Sequence, residues 1–134
     1  MTTTTGIAAK KVRIGDLHMD HKEWLNALRF FKDELMIFEH RLEEVVRLNT
    51  RQEVLAELEH FQNQFIREKE VIDELRHDIK KSENEVEKEH KDNPVAIEHR
   101  WFRDHTDLRD RFETFERLYA ELKTEYRRWL AQRL

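Results

Sequence analysis

The chain has 134 residues, room for one domain of ordinary size, with 40% charged residues, two Gly, one Pro and no Cys. Gly and Pro this scarce exclude an all-β sandwich or barrel, and without Cys there is no disulfide framework, thiolate metal site or cysteine nucleophile. No apolar run reaches the roughly 18 residues of a membrane span and no signal-peptide core is present, so a soluble protein in a reducing, cytoplasmic setting is expected.

The formal net charge is −4, and by segment it runs zero over residues 1–49, −5 over 50–93 and +1 over 94–134. An acidic middle repels a phosphate backbone and disfavours an anionic membrane, so neither nucleic acid nor membrane is an expected partner. High charge with 38% hydrophobic residues also occurs in disordered chains. Here opposite charges interleave and the apolar residues are strictly periodic, which is the pattern of a folded helical protein.

The opening MTTTTGIAAKKVRIG holds both glycines and no sustained helical period, so residues 1–15 are expected to form a flexible N-terminal tail, ordered at the earliest from Val12 or Ile14. Asp16 and Asp20 are both N-cap residue types, and Asp20 has Glu23 at the capping-box spacing. From there Leu17, His21, Trp24, Leu28, Phe31, Leu35, Phe38, Leu42 and Val45 advance by steps of three and four, which places them on one face of a helix over about 17–48. Thr50 with Glu53 forms a second capping box. It opens a helix over about 51–91 whose stripe is Val54, Leu58, Phe61, Phe65, Glu68, Ile72, Leu75, Ile79, Ser82 and Val86. Asn93 followed by Pro94 is an N-cap with Pro at the first helical position, where a missing N–H costs nothing. The third helix, over about 94–132, carries Trp101, His105, Leu108, Phe112, Phe115, Tyr119, Leu122, Tyr126 and Trp129 on one stripe. Connections this short return each helix antiparallel to the last. Residues 16–134 are therefore predicted to form an all-α, up-down-up antiparallel three-helix bundle with long, coiled-coil-like helices. With the first helix the shortest, the far ends of the other two project as an arm that only the segment around Ile14 and Leu17 can cover.

Pairing outward from the two turns sets Glu68 between Phe31 and Tyr119. A buried carboxylate without a partner is costly, so a Glu68–Tyr119 hydrogen bond that sets helix register is expected. The same pairing gathers His21, Ser82 and His105 at one end, with His90 a layer or two further out and His18 three residues from His21. Imidazole is a common metal ligand, and Asp20, Glu87, Glu98 and Asp104 lie within reach, which makes His21, His105 and His90 the metal candidates. The competing expectation is that these histidines close the end of the core, bonded to Ser82 or water. Glu-x-x-His recurs at Glu57/His60, Glu74/His77 and Glu87/His90, but every copy is on the second helix, whereas a dinuclear site draws on two. His-Glu-x-x-His, glycine-rich phosphate loops and Gly-x-Ser-x-Gly do not occur, and no nucleophile–base pair can be named. Neither an enzyme nor a bound cofactor is expected.

Met19, Phe30, Ile37 and Leu48 cluster on the side of the first helix opposite its stripe, because spacings of 11, 7 and 11 residues return to nearly the same angle. This row is the candidate interface, for a homodimer or for an unidentified protein, unless the N-terminal segment folds back over it.

With Trp24 at an inward position of its first helix, the bundle resembles a spectrin-type repeat in outline. The stretches HKEWLNALRFFKDEL and EHFQNQFIREKEVIDELRHDI resemble small uncharacterised helical-bundle proteins of Bacteroidetes-type bacteria. That resemblance implies a small soluble bacterial protein and carries no catalytic residues with it. The expectation is a non-catalytic helical bundle acting through self-association or protein–protein interaction. The alternative is a metal- or small-ligand-binding bundle that uses the histidine end.

Overall fold

The computed structural model describes residues 2–49, 51–92 and 98–133, with side chains over 15–49, 51–88, 91 and 103–133. The described residues form three helices and no strand: α1 is Thr2–Leu48, α2 Gln52–Asp92 and α3 Glu98–Arg133. No described helix is long and apolar enough to cross a membrane. The proposed caps Thr50, Asn93 and Pro94 lie outside the described residues, as do the side chains of His90 and Trp101.

Every stripe residue whose side chain is described is buried, except Phe31, which is half-buried. Periods of three and four place these residues along one line of each helix, and packing three such lines together removes them from water without any sheet. Aromatic rings fill much of the interior. Tyr126 lies 4.9 Å from Phe38 and 5.0 Å from Phe65, and Phe61 lies 5.1 Å from Trp129, between ring centroids. The buried Tyr126 hydroxyl donates to the Phe38 carbonyl at 3.1 Å, so its polar end is not stranded in the core.

Polar pairs report the register. Asp20 meets His105 and Glu34 meets Tyr119, each 85 residues further along, so α1 and α3 run parallel. Lys32 meets Asp73 at 2.8 Å and Glu39 meets Lys69 at 2.8 Å, partners that descend α2 as α1 ascends. Asp78 with Arg111 and Glu57 with Arg133 fix α2 against α3 in the same antiparallel sense.

Two expectations are corrected here. α1 starts at Thr2 rather than near residue 17, and at 47 residues it is the longest helix, not the shortest. Extending a helix that already exists costs far less than nucleating one, and residues 2–16 contain no Pro to stop it. The capping box at Asp20 and Glu23 is accordingly not a helix start: Asp20 sits mid-helix, and its carboxylate reaches α3 instead. The short-first-helix argument for a projecting arm falls with it.

Gly15 tests the continuity of α1. It is exposed, its φ is not positive, and a Cβ there meets nothing within 4 Å. Gly15→Ala is expected to raise stability by about 0.5–1 kcal/mol in chemical denaturation, since Ala loses less backbone entropy in a helix than Gly. No gain would mean that the segment is not helical in solution.

Candidate functional site

The polar centre of the bundle differs from the expected one. Glu68 and Tyr119 are both buried, at 8% and 2% exposure, but they are not hydrogen-bonded to each other. The Tyr119 hydroxyl donates to Glu34 Oε1 at 2.6 Å, and Lys123, one turn further along α3, donates to Glu34 Oε2 at 2.9 Å. Glu34 stands beside the α1 stripe, where a long carboxylate side chain spans to α3, and that position accounts for its absence from a reading based on the stripe alone. Burial pushes the Glu34 carboxyl up. The hydrogen bonds from Tyr119 and Lys123 and the charges of Lys123 and Arg127 outweigh it, and the group is held below its ordinary value. Burial and the Glu34 carboxylate push the Tyr119 phenol up.

Glu68 has no hydrogen-bonding side chain among the described residues; burial pushes its carboxyl up, and the neighbouring Arg67 charge opposes this only in part. A surface groove of about 340 Å³ between α2 and α3 is lined by Glu68 together with Val71, Leu75, Arg111 and Leu118.

At the end of the bundle holding the start of the α1 stripe, the expected histidines do come together. The His21 and His105 rings lie 5.5 Å apart between centroids, and the Trp24 indole stacks on His105 at 5.0 Å and then on Phe112 at 5.7 Å. Each imidazole is tied to a carboxylate from another helix. His21 Nδ1 donates to Glu83 Oε2, and His105 Nε2 donates to Asp20 Oδ2 at 2.9 Å, where Arg109 also donates at 3.0 Å. The other nitrogens, His21 Nε2 and His105 Nδ1, are buried without a partner. His18, on the surface, donates through Nδ1 to the second oxygen of Glu83. Glu83 thus holds two imidazoles and is the central residue of this end. It was not among the expected residues, although it adjoins the inward Ser82 and lies one turn before Glu87. Burial pushes the His105 imidazole below its ordinary value; the His21 and Arg109 charges act in the same sense, and Asp20 opposes them.

The outer row of α1 is exposed throughout: Met19 53%, Phe30 60%, Ile37 59% and Leu48 71%. Met36 and Val46 are also exposed on α1, whereas among the described residues α2 and α3 show the separate Leu55, Ile66 and Leu118.

The Glu68 carboxyl binds its proton more tightly in the folded chain than in the unfolded one, so its ionisation at neutral pH opposes folding. Glu68→Met, an unbranched side chain of similar size, is expected to raise stability by about 1 kcal/mol at pH 7. The gain should shrink below pH 4.5, the ordinary carboxyl value, where both states of the wild type are protonated. For His105 the sign reverses. Its folded-state affinity for a proton is lowered, so the unfolded chain takes the proton first and stability falls as pH drops below 6.5. His105→Phe keeps a ring beside Trp24 and should flatten the fall in melting temperature between pH 7.5 and 5.5; an unchanged slope would place that dependence elsewhere.

Compared with protein-family models, with curated proteins and with solved structures, the chain matches none of them.

Proposed function

We propose that this chain is a non-catalytic helical-bundle protein that acts through self-association, two copies meeting antiparallel along the outer face of α1. The observation that carries this reading is the exposed row Met19, Phe30, Ile37 and Leu48, which runs roughly 44 Å along one helix at 1.5 Å per residue. Isolated exposed apolar side chains are ordinary, but four that return to one face of one helix, with polar residues between them, point to a surface that another protein covers.

A second copy is the occupant because the row is complementary to itself. The pairs Met19/Leu48 and Phe30/Ile37 share one midpoint, between Asp33 and Glu34. A two-fold axis there sets Met19 of each copy against Leu48 of the other and Phe30 against Ile37, as a closed dimer requires. A cytoplasmic site of action suits a cysteine-free chain.

Light scattering after size exclusion is expected to give a dimer mass. Phe30→Asp with Ile37→Asp should reduce it to the monomer mass with helicity by circular dichroism unchanged. A monomer at every concentration would hand the row to a different protein. A double variant that stays dimeric would move the interface elsewhere.

A further inference from the structure

Among the described residues, one group of side chains brings three metal-ligating atoms together. His18 of α1 and Glu83 and Glu87 of α2 place a ring nitrogen and two carboxylate oxygens all within 4.8 Å of one another. Glu83 and Glu87 are four residues apart on one helix, so two like charges face each other, an arrangement that is unfavourable until a cation relieves it. Glu83 is hydrogen-bonded by His18 and His21, and among the described residues neither glutamate meets a Lys or Arg.

A separate feature stands behind this group. His21 is 1% exposed, packed against Trp24 and His105, and among the described residues its one side-chain hydrogen bond is from Nδ1 to Glu83 Oε2; Nε2 is unpartnered. A buried imidazole committed to a surface carboxylate holds that carboxylate in one rotamer. Metal sites support their ligands in this way, with a hydrogen bond to the oxygen that does not face the ion.

We propose that His18, Glu83 and Glu87 form a binding site for a divalent transition-metal ion of the zinc type, and that His21 is the positioning residue for Glu83. His18 is 61% exposed and Glu87 is exposed, so both can adjust to an ion, whereas Glu83 is held. In the metal-free state the His18 Nδ1–H rests on Glu83 Oε1. On binding, the neutral ring carries its proton on Nε2 instead, Nδ1 turns its lone pair to the ion, and Glu83 supplies Oε1 while Oε2 stays on His21. Glu87 adds a carboxylate oxygen, and water completes the coordination. One imidazole with two carboxylates suits Zn²⁺ or Co²⁺; Ca²⁺ and Mg²⁺ take oxygen ligands and gain little from the histidine. The buried His21/His105 pair is not this site: each ring is already tied to a carboxylate, and among the described residues no third donor converges with the two. The proposal is independent of self-association through the outer face of α1.

The test is calorimetric titration of the full chain, stripped with EDTA, with Zn²⁺, and with Mg²⁺ and Ca²⁺ as controls; Co²⁺ supplies a visible d–d spectrum. One Zn²⁺ per chain is expected, with a d–d band in the cobalt form. His18→Ala and Glu87→Gln should each weaken Zn²⁺ binding by at least about tenfold, a loss that even outer-shell changes reach. Both substitutions are at exposed positions and should leave helicity unchanged. Absence of Zn²⁺ binding by the wild type, binding that both variants retain in full, or equal binding of Mg²⁺ and Ca²⁺ would each overturn the proposal.

Discussion

Three long helices with apolar stripes of nearly one repeat can slide past one another. A slip of seven residues, roughly 10 Å at 1.5 Å per residue, returns apolar side chains to apolar positions and sacrifices little burial. The structure depends on whatever forbids that slip, and short connections alone act only at the ends. Between them, the register is held by side chains with one admissible partner. Tyr119 donates to Glu34, the Tyr126 hydroxyl finds the Phe38 carbonyl, and His105 bonds Asp20. Each of these polar ends is buried or partly so, and sliding would leave it unpaired in apolar surroundings, a penalty that interchangeable Leu or Ile contacts do not impose.

The aromatic residues serve the same end by shape. Trp24 stacks between His105 and Phe112, Phe115 and Tyr119 stack with their planes 9° apart, and Tyr126 is enclosed by Phe38, Phe61 and Phe65. Flat rings of this size fit only where the facing helix leaves matching space, so a bundle rich in them has fewer acceptable registers than one built of aliphatic side chains. Glu68 is the exception in this column. It occupies a stripe position without a hydrogen-bonding partner among the described side chains, and burial shifts its carboxyl towards the neutral form. At the far end Glu57 receives both the Trp129 indole N–H and the Arg133 guanidinium, which closes the core beside the α1–α2 turn.

The histidine end joins register to chemistry. Asp20 and Glu83 come from α1 and α2, and each binds an imidazole of another helix, so the same bonds that lock the helices also orient the rings. Rings held in this way have one nitrogen committed and the other bare. In the metal site proposed above, it is the committed nitrogen of His21 that would hold Glu83 in place, beside His18 and Glu87.

Which residues are buried was legible in the sequence, because helical period is a local property: residues three and four apart share a face wherever the helix sits. The stripes therefore named the core, including the polar members His21, Glu68, Ser82 and His105. The outer row of α1 was legible for the same reason. The start of α1 was not, since Asp20 has the chemistry of a cap and the sequence alone does not say that its carboxylate is occupied by His105 and Arg109. Nor were the partners of the buried polar groups. Glu34 for Tyr119 and Glu83 for His21 both lie beside a stripe, not on it. Whether such a side chain reaches across depends on the rotation and axial offset of two helices distant in sequence, a relation of a few ångströms that no local pattern encodes. Period determined what is inside; only the packed helices decided which polar atoms meet there.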